Sequence, residues 1–312
     1  MTTLRLSDGG LGSTLQDHFH LPTPFSSGCI APNALRHTHH DFLEAGSRVL
    51  LTSTGQAACE HFQMSSEVMR LAVDRANQAR DQFCNATEDS PTDIHIALVL
   101  APFGRAPNQD SEGNTISFGD DIESKNNSTE ALTRSHEDRL REIASDKEIW
   151  NRVDFVAFES VQLVGEVKAI RQAMGNLKEI INPKPWWITA TFPRGKFPQP
   201  GGGFLPAGEV ANTIICNDNN MPVPDGIGIN GTALEFLPGL LQDVERVIGG
   251  NTRPRLVLHP HGARFNSLTS DQWANELAGL INKAKGRGWN NIIVGGCCKT
   301  GPIEINALRE AI

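Results

Sequence analysis

Two adjacent cysteines, Cys297 and Cys298, follow an apolar run at Ile292–Gly295, close to the C-terminal end of the sequence. A pair of glycines at this point frees the backbone from strand alternation, so that both thiols can face one metal ion. The alternative is a pair of small buried apolar side chains, since free cysteine is among the most buried residue types. The position after a predicted strand and beside glycines favours the metal-ligand interpretation.

A catalytic zinc ion needs at least one further protein donor and keeps one position open for substrate. Two histidines, His259 and His261, flank Pro260 at the end of the preceding predicted strand. His261 lies just outside that strand and is the better candidate ligand, whereas a histidine at a strand end is often a hydrogen-bonded surface group. Cys29, Cys216 and His259 stay open as alternative ligands.

Two carboxylates also follow predicted strands. Asp8 begins a glycine-rich turn that lets the backbone approach a small ligand, and its carboxylate could hold an ammonium group or a hydroxyl. The turn lacks the glycine spacing of a dinucleotide-binding loop. Glu159 ends the fourth predicted strand and either binds a ligand or caps the following helix. The His39-His40-Asp41 segment lies in a helical stretch, where solvated or core packing is the favoured interpretation.

Short β-branched or apolar runs alternate with helical stretches along the whole chain, which predicts parallel strands with crossover helices. The predicted strands are Leu4–Ser7, Arg48–Ser53, Ile94–Leu100, Val153–Phe158, Trp186–Thr191, Gly226–Asn230, Arg255–His259 and Ile292–Gly295. The predicted helices are Asn33–Ala45, Cys59–Phe83, Thr129–Lys147, Gly165–Met174, Ala207–Cys216, Leu234–Val247, Ser270–Lys285 and Pro302–Ile312. Eight such units favour one α/β domain over residues 1–312, a (β/α)₈ TIM barrel, over an open doubly wound sheet.

A barrel collects its chemistry on the loops that follow the strands. Two of those loops are long and polar, Arg105–Asn127 and Phe192–Leu205, and loops of this kind are lids, binding loops or surface insertions.

The composition excludes several classes of function. The 312 residues carry 28 Lys and Arg against 36 Asp and Glu, a net charge of −8, which argues against phosphate-based binding of nucleic acid. No apolar run reaches the length of roughly 18 to 20 residues that a membrane-spanning helix needs. No signal or transit peptide is recognisable, so we expect a cytoplasmic protein whose six cysteines stay reduced.

The motifs, in their order and over nearly the whole chain, resemble the homocysteine S-methyltransferase family. They are Asp8-Gly-Gly-Leu-Gly-Ser13, His40-Asp-Phe-Leu-Glu-Ala-Gly46 leading into Leu51-Thr-Ser-Thr-Gly-Gln-Ala57, Ala101-Pro-Phe-Gly104, Phe158-Glu-Ser160, Gly228-Ile-Asn230 and Gly295-Gly-Cys-Cys-Lys-Thr300. The Gly-Gly-Cys-Cys element is the specific one. The resemblance implies a (β/α)₈ barrel in which zinc binds the homocysteine thiolate that takes a methyl group from a donor.

By this resemblance, Cys297 and Cys298 are zinc ligands. Asp8 and Glu159 hold the amino-acid end of homocysteine, and Thr52 lies near the same pocket. A free thiol has a pKa of about 8.5, and coordination to Zn²⁺ deprotonates it.

Two departures from the family pattern concern the metal. The family places a third zinc cysteine directly after Gly-x-Asn, where this chain has Gly231, and it reads Tyr-Pro-Asn-x-Gly where this chain reads His259-Pro260-His261-Gly262. One hypothesis is a rebuilt zinc site of Cys297, Cys298 and His261, with chemistry retained. The other is a non-catalytic or altered-specificity descendant that binds an amino acid or thiol without the usual metal site.

One barrel uses up the 312 residues and leaves no room for a cobalamin or folate module. The resemblance therefore implies a homocysteine S-methyltransferase with a small sulfonium donor, S-methylmethionine or S-adenosylmethionine, and methionine as its product. The acidic chain weakly favours a cationic donor.

Overall fold

The computed structural model describes residues 2–20, 31–54, 66–103, 108–109, 115–117, 128–199, 202–217, 221–249 and 253–312. Within these ranges, eight parallel strands form the central sheet. They are β1 (Thr3–Leu6), β2 (Val49–Leu51), β3 (His95–Leu100), β4 (Phe155–Val161), β5 (Trp186–Ala190), β6 (Gly226–Asn230), β7 (Arg255–His259) and β8 (Asn291–Val294).

From β2 to β8, each strand pairs in parallel with the next strand along the chain, and β8 pairs in parallel with β1. A parallel bridge between Ser7 and Val49 connects the ends of β1 and β2 and completes the ring. The predicted barrel is therefore confirmed, and the open sheet was the wrong alternative.

The helices lie between successive strands. They are α1 (Leu11–Phe19), α2 (Pro32–Glu44), α3 (Ser66–Ala86), α4 (Thr129–Ser145), α5 (Lys147–Asn151), α6 (Val164–Leu177), α7 (Ala207–Ile215), α8 (Leu237–Val247), α9 (Ser270–Gly286) and α10 (Pro302–Ala311). None of the helices that the structure describes has both the length and the apolar character needed to cross a membrane.

Two predicted helices differ from the structure, and one helix, α1, was not predicted. The predicted helix Thr129–Lys147 divides at Asp146, whose carboxylate accepts the backbone N–H groups of Glu148 and Ile149 and so caps α5. The predicted helix Cys59–Phe83 is seen from Ser66 onward, and residues 59–65 lie outside the described residues.

The two long loops differ in how much is described. The Phe192–Leu205 loop contains a 3₁₀ turn, Pro193–Gly195, and a short ladder that pairs Phe197–Pro198 with Phe204–Leu205. The Arg105–Asn127 loop lies outside the described residues, apart from the paired segments Asn108–Gln109 and Thr115–Ser117.

The barrel interior is apolar over most of its height. Its buried cluster includes Val99, Phe155, Trp187, Val257 and Ile293, which come from five different strands. Because side chains alternate along a strand, residues two positions further on point inward as well. This periodicity puts Ser7, Glu159 and His259 inside the barrel at the carboxyl ends of β1, β4 and β7, where the chemistry of such barrels resides.

Candidate metal and substrate site

A cluster of possible metal ligands lies on the loops after β7 and β8. The donor atoms of His261, Cys297 and Cys298 all lie within 4.8 Å of one another, and the two sulfurs are 3.9 Å apart. Tetrahedral zinc with Zn–S bonds of about 2.3 Å holds two sulfurs roughly 3.8 Å apart. The spacing and the S₂N donor set therefore fit a zinc ion with one position left for a substrate.

Backbone hydrogen bonds fix these two loops against each other. The Cys297 N–H donates to the Pro260 carbonyl at 2.7 Å, and the Gly262 N–H donates to the Cys298 carbonyl at 2.9 Å. A Cβ atom at Gly262 would lie 1.9 Å from the carbonyl oxygen of Lys299, so this approach requires glycine. The imidazole of His261 is thereby held beside the thiols.

The two thiols differ in acidity. A hydrogen bond from Cys297 and the neighbouring His261 hold the pKa of Cys298 well below its usual value. The same hydrogen bond, together with burial, raises the pKa of Cys297.

Gly231 faces the same group of ligands. Its φ angle is +54°, and a Cβ atom built on it would lie 3.9 Å from the Cys297 sulfur and 3.3 Å from Thr191 Oγ1. A side chain at this position would therefore border the Cys297 sulfur. Position 231 and the cluster of His261, Cys297 and Cys298 therefore share the Cys297 sulfur as a neighbour.

Glu159 belongs to a buried hydrogen-bonded network inside the barrel. Its Oε1 accepts the indole N–H of Trp187 at 2.7 Å, and its Oε2 lies 3.3 Å from Nδ1 of His259. The other ring nitrogen of His259 lies 2.8 Å from Ser7 Oγ. Burial raises the pKa of Glu159, but His259 and the hydrogen bonds from His259 and Trp187 outweigh this effect and hold the pKa below its usual value.

This network decides two alternatives that the sequence left open. Glu159 lies within β4 and does not cap α6, whose N-cap residue is Leu163. His259 is buried instead of lying on the surface, and both of its ring nitrogens are engaged away from the cysteines.

A bulge in β4 directs the Glu159 side chain. The pairing of β4 with β5 shifts register between Phe158 and Val161, and Ser160 adopts a φ angle of +65°. Asn230, the last residue of the Gly-x-Asn motif, stabilises this bulge. Its Oδ1 accepts the Ser160 N–H at 3.1 Å, and its Nδ2 donates to Ser160 Oγ at 2.9 Å. Sequence reasoning assigned no role to Ser160 or Asn230, because the bulge depends on pairing between strands.

Asp8 is fully buried beside the cysteine turn. Its backbone carbonyl accepts the Gly296 N–H at 3.2 Å, and its Oδ2 accepts the Leu51 N–H at 2.9 Å. Burial and the nearby Glu159 raise its pKa against the hydrogen bond from Leu51, which lowers it. Asp8 and Glu159 therefore present two interacting carboxyl groups near the candidate ligands.

The remaining candidates have structural contacts. Thr52 Oγ1 accepts the Val99 N–H at 2.9 Å and lies 2.8 Å from Thr54 Oγ1, so it ties the end of β2 to β3. Cys216 ends α7, where its sulfur accepts a hydrogen bond from Arg171 at 3.3 Å, and it is not part of the ligand cluster among the described residues. Cys29 lies outside the described residues.

Comparison with known proteins agrees with this architecture. Residues 5–312 match the family model described as homocysteine S-methyltransferase. The chain belongs to the homocysteine S-methyltransferase family.

Similar proteins cover almost the whole chain. Homocysteine S-methyltransferase 4 of Zea mays is 27% identical over 326 residues, which cover 98% of this chain and 88% of the relative. Selenocysteine methyltransferase of Astragalus bisulcatus is 26% identical over 336 residues, which cover 97% and 91%. The metallated homocysteine methyltransferase MmuM of Escherichia coli has the same fold, with a TM-score of 0.69 and 19% identity over 99% of this chain and 96% of MmuM.

Proposed function

We propose that this protein is a zinc-dependent S-methyltransferase that moves a methyl group from a small sulfonium donor to homocysteine and forms methionine. S-Methylmethionine and S-adenosylmethionine are the donors of this class. The observation that carries the proposal is the clustering of His261, Cys297 and Cys298, in a member of this family, at the carboxyl ends of the barrel strands. We further propose a cytoplasmic location, where the reducing environment keeps both cysteines as thiols.

His261, Cys297 and Cys298 would hold the zinc ion. When bound, zinc lowers the pKa of an incoming thiol and fixes its sulfur at the open position. Asp8 and Glu159 would hold the ammonium group of the amino acid, because paired carboxylates form charge-assisted hydrogen bonds with an ammonium ion.

The methyl transfer needs no reactant other than homocysteine and the sulfonium donor. The homocysteine thiol loses its proton to solvent, and the thiolate sulfur forms a new bond to the methyl carbon of the donor. The bond between that carbon and the sulfonium sulfur breaks, and its electron pair stays on the donor sulfur, which becomes a neutral thioether. With S-methylmethionine as donor, both products are methionine.

An exchange of ligands tests the metal site. We expect His261→Asn to lower the zinc content well below one ion per chain and to abolish turnover. In the Gly231→Cys/His261→Asn double variant, the new Cβ atom lies 3.9 Å from the Cys297 sulfur, so we expect both properties to recover. The left-handed backbone at position 231 disfavours cysteine by roughly 1–2 kcal/mol, which reduces stability but not the number of ligands. Cys84→Ser serves as the matched control, since this thiol lies on α3 outside the ligand cluster.

Three results would contradict the proposal. His261→Asn could retain full zinc and turnover, which would remove His261 from the ligand set. Wild-type protein prepared with zinc could stay metal-free and still bind homocysteine, which would support a non-catalytic descendant. A panel of donors could give turnover only with methylfolate or betaine, which would exclude the sulfonium class.

A further inference from the structure

A second buried histidine, His39, faces Asp8, which is the other carboxylate proposed to bind the substrate. His39 on α2 and Asp8 after β1 are both fully buried, and His39 Nδ1 lies 3.8 Å from Asp8 Oδ2. Three polar atoms of this pair have no hydrogen-bond partner among the described residues: Asp8 Oδ1 and both ring nitrogens of His39.

Buried polar atoms without partners are rare in native proteins, because they lose their hydrogen bonds to water without replacement. Glu159 shows the usual state in the same barrel, with its two oxygens engaged by Trp187 and His259. Asp8 differs, since its Oδ2 has a backbone donor while its Oδ1 has none within the described part of the chain. Asp8 Oδ1 is thus an acceptor available to a ligand.

We infer that His39 is a positioning residue, whose Nδ1–H orients the Asp8 carboxylate so that Oδ1 accepts the ammonium group of the amino-acid substrate. This inference rests on the proposed function, in which Asp8 contacts that group. A movement of about 1 Å brings Nδ1 from 3.8 Å to hydrogen-bond distance of Oδ2. His39 acts through Asp8 and does not touch the substrate.

The chemistry of imidazole suits this role. Burial lowers the pKa of His39 to about 3, so the ring is neutral at neutral pH. A neutral donor stabilises the ionised carboxylate but leaves its negative charge to attract an ammonium group. A lysine or arginine in this place would compensate that charge. Burial and Glu159 act against this stabilisation of the ionised carboxylate, because both raise the pKa of Asp8.

Two conservative substitutions of His39 distinguish its orientation of the Asp8 carboxylate from a role in packing alone. The amide nitrogen of asparagine can occupy the place of Nδ1, whereas that of glutamine corresponds to Nε2. We therefore expect His39→Gln to weaken homocysteine binding about tenfold or more, and His39→Asn to retain most of the affinity. Zinc content should be unchanged in both variants. His95→Asn, at the start of β3 on the opposite end of the barrel, is the matched control.

The probe is calorimetric titration of the zinc-loaded protein with homocysteine and with 4-mercaptobutanoate, which lacks the amino group. We expect His39→Gln to weaken homocysteine binding and to leave the binding of 4-mercaptobutanoate unchanged. Equal weakening for both thiols, or no weakening for either, would overturn the inference. Failure of the proposed function would be seen separately, as wild-type protein that lacks zinc or gives no methyl transfer.

Discussion

Acid should destabilise the native protein through His39. Burial lowers the pKa of this side chain to about 3 in the folded state, whereas an exposed histidine in the unfolded chain titrates near 6.5. Below pH 6.5 the unfolded chain therefore binds a proton that the folded chain does not bind. The free energy of unfolding must fall as the pH falls from about 6.5 towards 3.

The size of the effect follows from the difference between the two pKa values. Each pH unit between them contributes about 1.4 kcal/mol. When the pH falls from 8 to 5, about 1.5 pH units lie below the pKa of histidine in the unfolded chain. His39 should therefore lower the free energy of unfolding by about 2 kcal/mol over this range. In His39→Gln this contribution disappears.

Urea unfolding at pH 8 and pH 5 measures this contribution. Other buried histidines, such as His136, whose pKa burial also lowers, are common to both proteins and cancel in the comparison. Asp8 faces His39 and titrates as well, so the same pair is compared in an Asp8→Asn background. Between pH 8 and pH 5, the free energy of unfolding should fall by about 2 kcal/mol more in the protein with His39 than in His39→Gln. This difference should be the same with Asp8 and in the Asp8→Asn background. Equal losses would refute the assignment of His39 as a buried neutral side chain.

Two further substitutions test the support of the site. In Gly262→Ala, the new Cβ atom would lie 1.9 Å from the Lys299 carbonyl oxygen, so the loops after β7 and β8 must separate. The zinc content, measured by elemental analysis, should therefore fall. Full zinc occupancy in this variant would contradict the role of the contact. Trp187→Phe removes the N–H donor to Glu159, and we expect a loss of about 1–3 kcal/mol in urea unfolding and a raised KM for homocysteine. Unchanged stability and KM would show that this hydrogen bond does not hold the carboxylate.

The sequence predicted the barrel well because its strand signals are local. Apolar runs such as that of β8 and the alternation with helices survive without tertiary information. The missed helix α1 begins directly after a glycine-rich turn and contains Gly12, and glycine is a poor helix former. Its formation depends on packing against α2.

The clustering of His261, Cys297 and Cys298 was also predictable in part. The Cys-Cys pair and His261 follow successive strands, and parallel strands bring their carboxyl ends to one side of the barrel. The surroundings of Glu159 and His259 were not predictable, because the sequence does not show that both side chains fill the last inward layer of the barrel, where each is buried. The contact between His39 and Asp8 needs the packing of α2 against the turn after β1, which no local pattern contains.

The most direct test of the proposed zinc site is X-ray absorption at the zinc edge on the purified wild-type protein. We expect bound zinc with two sulfurs at about 2.3 Å and a histidine nitrogen at about 2.0–2.1 Å, and a third sulfur when homocysteine is added. A protein that takes up no zinc, or a zinc ion without the imidazole of His261 in its coordination shell, would contradict this expectation.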